Sequence, residues 1–225
     1  MCLIVVAHRA SERFPLIIAA NRDEDYDRPT RSAHRWDGAP NVVGGRDVLH
    51  GGSWLAVTRE GRVAAVANLR GSPARPEARS RGFLVRDFVL SDTSPLAFAE
   101  SITVSDYAGF HFIAGEIGGT FVHLSDRLRV WESSVYGIGN DPVDTRSERI
   151  EGAVAHVREA MRIGDAAALA DDLIAFLGRG SAFVTGDRYG TRSSTAIIAA
   201  GGEIVFVERS YGRGGVVSST SSSVP

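Results

Sequence analysis

The sequence is short of cysteine, of long apolar runs and of any excess of one charge, and each shortage closes a class of function. One cysteine among 225 residues allows no disulfide within the chain, so nothing calls for an oxidising compartment. No apolar run approaches the ~20 residues that a helix needs to cross a bilayer. The N-terminus carries neither the basic region nor the small-residue cleavage site of a secretory signal. The 25 basic and 27 acidic side chains leave a net charge of −2, which gives no footprint for nucleic acid or an anionic membrane surface. No spacing of His, Cys, Asp and Glu matches a metal site. What remains is an ordinary globular composition, 44% apolar and 23% charged, in a length that suits one large domain. A cytoplasmic location is the expectation.

The lone cysteine stands second, in Met1-Cys2-Leu3-Ile4-Val5-Val6-Ala7-His8. A small residue there lets the methionine be clipped, after which Cys2 would carry a thiol and a free α-amine on one skeleton. Their reference pKa values are about 8.5 and about 7.7–8.0. The amine can therefore take the thiol's proton near neutral pH, which is the logic of an N-terminal nucleophile. Leu3 to Ala7 reads as a strand buried on both faces, able to hold the terminus still. The alternative is a small buried hydrophobe, the commoner fate of a lone cysteine.

Further along, Pro15–Ala20 reads as a second strand that opens into the polar cluster Asn21-Arg22-Asp23-Glu24-Asp25. Tyr26–Asn41 has no periodicity and reads as a long packed loop around Trp36, with turns at Gly44-Gly45 and Gly51-Gly52. Trp54–Thr58 and Arg62–Asn68, joined through Gly61, form the clearest hairpin. Apolar spacing over Arg81–Leu90 predicts a helix, and Ser94-Pro95 opens another to about Ile102. Three strands follow, around Phe110–Ala114, Thr120–Leu124 and Arg129–Trp131. His111 and His123 read as sheet-face residues, with a metal or haem ligand as the alternative. Val135–Ile138 is a strand ending near Asn140. Thr145-Arg146-Ser147-Glu148 is a capping box ahead of a helix to about Arg162 that would bury Ile150, Val154, Val157 and Met161. A second helix spans about Asp165–Leu177. Tyr189–Thr195 leads into the strands Ala196–Ala200 and Ile204–Arg209. Residues 1–211 read as one domain of stacked sheets flanked by helices, and 212–225 as a disordered Gly/Ser-rich tail.

Met1-Cys2 ahead of a buried strand, the Asn21-Arg22-Asp23-Glu24 tetrad and Tyr189-Gly190-Thr191-Arg192-Ser193-Ser194 together resemble the NRDE family. The Gly51–Ala56 hairpin and the Tyr136–Asn140 turn fit as well. Eukaryotic members of that family are called transport and Golgi organisation protein 2. The resemblance implies an α+β fold of the N-terminal-nucleophile hydrolase type, a four-layer αββα sandwich of two antiparallel sheets similar to penicillin V acylase and bile-salt hydrolase. It implies amide hydrolysis needing no cofactor, with Cys2 attacking a carbonyl and Arg22 and Asp23 beside it. A nearby guanidinium would lower the thiol pKa, and a carboxylate would orient the α-amine. The Asn140 side chain and the Asn68 N–H would be donors to the oxyanion. Arg192 is a further site cation, or else a partner of Asp187 or a terminal carboxylate. The partner is then a small amide or acyl compound. The other implied role is a carrier of haem or of an acyl-CoA or lipid on the same fold.

Overall fold

The structure, a computed structural model, describes residues 2–73, 76–143 and 145–224. The expected clipping of Met1 lies outside the described residues. Among the described residues are thirteen strands and four α-helices: β1 Leu3–His8, β2 Leu16–Asp25, β3 Thr30–Trp36, β4 Ala39–Asp47, β5 Leu55–Thr58, β6 Arg62–Asn68, α1 Gly82–Val89, α2 Pro95–Glu100, β7 Phe110–Glu116, β8 Phe121–Leu124, β9 Leu128–Trp131, β10 Ser134–Ile138, α3 Glu148–Ala160, α4 Ala166–Leu177, β11 Tyr189–Ala200, β12 Glu203–Gly212 and β13 Gly215–Val224. They fall into two compact units, Met1–Arg28 with Ser133–Gly139 and Val143–Pro225, and Pro29–Glu132 with Asn140–Pro142.

The first unit is a six-stranded antiparallel sheet in the order β10-β1-β2-β11-β12-β13. Alternate residues Leu3, Val5 and Ala7 of β1, Ile17 and Ala19 of β2 and Ala196 and Ile198 of β11 share one face, as the period of 2 requires. Against that face α3 sets Ala153, Val157 and Ala160, and α4 sets Leu169, Leu173 and Leu177. Ile150, Val154 and Met161 pack onto the same core while staying partly exposed. The second unit is a seven-stranded antiparallel sheet running β3 to β9 in chain order. There Phe112, Ala114 and Val122 lie under Leu84, Val85 and Phe88 of α1.

Five expectations are corrected. The polar tetrad is not a loop: β2 runs on through Asp25, paired with β11 from Tyr189. Tyr26–Asn41 is mostly sheet, because β3 and the start of β4 form a hairpin. Its register shifts at Arg31/His34 and at Arg35/Trp36, and such bulges erase the alternation by which a strand is read. Gly44 and Gly45 belong to β4, where a Cβ would strike Ala56 and the Trp54 ring respectively, so close approach and not a turn selects glycine. Helix α3 takes Ser147 as its N-cap with no side-chain cap bond, so the Thr145 box does not form. Finally, 215–224 is not disordered. It pairs along the whole outer edge of β12, from Gly212↔Gly215 to Ile204↔Val224, and a full partner edge supplies the pairing that low apolar content does not predict.

Candidate active site

In the first unit the site grows from the end of β2. Asn21 is buried, and its Nδ2 donates to the carbonyls of Leu177 at 2.9 Å and Ala182 at 2.8 Å. Its Oδ1 accepts from Ser194 Oγ at 2.6 Å. All its polar capacity is spent on β11 and on the end of α4, so it fixes where the strand ends. Asp23 points to the same face. Its carboxylate accepts from Thr191 Oγ1 at 2.7 Å and pairs with Arg149 Nη1 at 2.9 Å. The Asp23 side chain is fully buried and that of Arg149 is 12% exposed. A buried carboxylate stays ionised only when paired and hydrogen-bonded in this way. Arg149 also donates to the Ala182 carbonyl at 2.6 Å, tying α3 to the same point.

Cys2 precedes β1, and Leu3 lies opposite Asn21. The Cys2 Sγ points at the backbone carbonyl oxygen of Asp23 across 4.0 Å, a long sulfur hydrogen bond. Tyr189 Oη donates to that same oxygen at 2.7 Å. Burial pushes the Cys2 thiol up and the Asp23 charge adds to it, while the Arg22 guanidinium works the other way without winning. The neighbouring guanidinium does act to lower the thiol pKa, as expected, but desolvation outweighs it. Arg22 is 7% exposed and faces Glu24 at 3.7 Å. The chain contains no lysine, so the side-chain cations at the site are guanidinium groups, which cannot serve as a base.

Arg192 sits at the bulge between Thr191 and Ser193. Its Nη1 donates to the carbonyls of Asp25 and Tyr26, each at 2.8 Å, and its Nε to that of Tyr211 at 3.3 Å. It clamps backbone carbonyls, and among the described residues it forms no ion pair with Asp187; the terminal carboxylate lies outside the described residues. The structure therefore brings Cys2, Arg22, Asp23 and Arg192 to one end of one sheet. Arg149, Thr191 and Tyr189 complete that group and were missed. Tyr189 and Thr191 carried a signal, since they are two apart in a strand and so share a face. Arg149, on a polar helix surface, carried none.

In the second unit the Asn140 Nδ2 donates to the Asn68 carbonyl at 2.6 Å. Asn140 is 8% exposed, and its Oδ1 is buried with no partner. Leu69 N–H donates to the Gly109 carbonyl at 2.9 Å. The Asn68–Phe110 pair therefore exchanges no backbone bonds, and the Asn68 N–H points away from β7. The two expected donors are brought together here, one amide hydrogen of Asn140 being engaged by Asn68 itself.

His111 and His123 share a sheet face and are fully buried. Their rings stack at 5.3 Å, with Nδ1 of His111 3.2 Å from Nε2 of His123, and His111 Nε2 reaches the Asp141 carbonyl at 3.0 Å. Trp131 stacks on the far side of His123 at 5.6 Å. Burial lowers the pKa of His111, and burial with His111 beside it brings His123 to about 3. A ring sandwiched this way leaves no room for a macrocycle, so this pair does not fit haem. Among the described residues no group of three or more His, Cys, Asp or Glu could hold a metal ion, and no helix is long and apolar enough to cross a membrane.

The family described as Transport and Golgi organisation 2 matches residues 1–182. A Transport and Golgi organization protein 2 homolog from Bos taurus is 30% identical over 239 residues, covering 88% of this chain and 87% of the relative. The corresponding Mus musculus protein is 28% identical over the same coverage. Among solved structures, the Caenorhabditis elegans ortholog of N-acylethanolamine-hydrolyzing acid amidase superposes with a TM-score of 0.57 at 16% identity, covering 88% of this chain and 92% of its own. The C2A mutant of conjugated bile acid hydrolase from Clostridium perfringens gives a TM-score of 0.52 at 8% identity, covering 98% and 92%. Identities so low show the fold alone, the α+β N-terminal-nucleophile hydrolase fold with its two antiparallel sheets. With the family match running through most of its length, the chain belongs to the Transport and Golgi organisation 2 family.

Proposed function

We propose that the chain is an amide hydrolase of the N-terminal-nucleophile type acting on a small or acyl-bearing amide. The observation that carries this reading is the seat of Cys2. The single thiol of the chain is partly buried at the head of a buried strand, on the Asp23 carbonyl and beside Arg22. In the reaction Cys2 Sγ forms a bond to the carbonyl carbon as the C–N bond breaks. The thiol proton leaves with the amine, and water then cleaves the thioester to an acid and restores the thiol. A thiol whose pKa is raised needs a base, and the α-amine freed by loss of Met1 supplies one. No cofactor enters these steps.

Cys2→Ala should lower hydrolysis of N-acyl amides at least ~10³-fold, the scale on which loss of a nucleophile is felt. Intact mass should show the methionine gone and Cys2 stoichiometrically alkylated by iodoacetamide. Turnover by Cys2→Ala at the parent rate refutes the reading. One observation favours a second reading, a carrier for haem or an acyl lipid: burial pushes the pKa of the Cys2 thiol up, away from the thiolate that a nucleophile needs. Retained Met1, ligand binding by Cys2→Ala equal to the parent, and no turnover would support it.

A further inference from the structure

We propose that Tyr189 is a positioning residue for the Cys2 thiol, acting through the Asp23 carbonyl that both groups share. The role in catalysis rests on the amidase reading, but the effect on the thiol can be measured without it. Tyr189 opens β11, opposite Asp25 of β2. Two residues on, Thr191 holds the Asp23 carboxylate at 2.7 Å, while Tyr189 Oη holds the carbonyl of the same residue, also at 2.7 Å. One strand thus fixes both ends of Asp23. The Cys2 Sγ approaches that carbonyl oxygen at 4.0 Å. Tyr189 is nevertheless 42% exposed, so its ring reaches solvent while its hydroxyl points inward.

A carbonyl oxygen facing a sulfur favours the thiol, which donates to it, and disfavours the thiolate, which its lone pairs repel. An O–H donated to the same oxygen draws density from those lone pairs and weakens both effects. Tyr189 therefore holds the thiol pKa below the value that Asp23 alone would set. Asp23 and Arg22 from β2 also act on the thiol. Cys2, Asp23 and Glu24 act on the phenol, with Arg149 of α3 opposing them. Burial first, and then those negative charges, push the phenol's pKa above its ordinary value. It remains a neutral donor at neutral pH.

The test is the pH dependence of alkylation of Cys2 in the full chain, which has no other cysteine to confuse the reading. In Tyr189→Phe the apparent thiol pKa should move up by about one unit, so the rate at neutral pH falls about tenfold while the high-pH plateau is unchanged. Ultraviolet absorbance of the thiolate should report the same shift without any reagent. Fluorotyrosine incorporated at position 189, a stronger donor of the same shape, should move the pKa down. A rate lowered equally at every pH, or an unmoved titration in both variants, overturns the proposal. Failure of the amidase reading looks different: the parent would not hydrolyse amides, or Cys2→Ala would hydrolyse them at the parent rate, whatever the titration shows.

Discussion

Two buried polar clusters, one on each sheet, are built on opposite terms. Around Asn21 and Asp23 the groups are ionic and hydrogen-bonded: both polar atoms of Asn21 and one carboxylate oxygen of Asp23 take part in hydrogen bonds, and the Arg149 guanidinium faces the other carboxylate oxygen at 2.9 Å. Around His111 and His123 the groups are neutral rings, held by stacking, and His123 Nδ1 is buried with no partner. The first cluster keeps a charge in a buried place, which demands a counter-charge beside it. The second avoids charge altogether, and its fully buried imidazoles stay neutral. The lesson is that a site can be told from polar filling by whether its ionisation has been provided for.

The comparison breaks most readily at Arg149. Arg149→Met should leave the Asp23 carboxylate buried and unpaired and cost about 3–5 kcal/mol, seen as a lower denaturant midpoint. Adding Asp23→Asn should recover part of the loss, because the charge goes with its partner. If the single variant melts like the parent, the ionic cluster is not holding the strand end.

A smaller effect is expected from acid on the neutral cluster. His123 has a pKa of about 3 in the fold against an ordinary 6.5. Between those values the unfolded chain binds protons that the folded one refuses. Stability is therefore complete above about pH 6.5 and drains away as pH falls from there towards 3. Melting temperature plotted against pH should flatten over this window in His123→Phe, whose ring can occupy the same stack. An identical slope in parent and variant would place the acid sensitivity elsewhere.

The smallest change is the removal of one hydroxyl. Ser194→Ala deletes the 2.6 Å bond to Asn21 Oδ1 and should cost about 1 kcal/mol without changing the alkylation profile of Cys2.

Much of this was legible in the residues. The apolar run of β1, the hairpin of β5 and β6 about Gly61, and the Ser94 cap ahead of Pro95 are local signals, and each element stands where its residues put it. Cys2, Arg22 and Asp23 were found because they crowd one terminus and one strand end. What was illegible is non-local. The Tyr189 hydroxyl meets Asp23 across 166 positions and the Arg149 guanidinium reaches it from another element altogether. No window of sequence holds both partners. The bulged β3 and the serine-rich β13 were hidden for a different reason: register shifts and a borrowed edge make strands that carry no alternation of their own.

That last strand has a consequence beyond its own pairing. Were β13 peeled away, β12 would offer a ten-residue row of unanswered amides and carbonyls, the kind of template on which chains recruit one another. A serine-rich strand closes the row. Shortening the chain there trades a harmless-looking appendage for stickiness, and a fusion partner is better attached at a loop than beyond position 212.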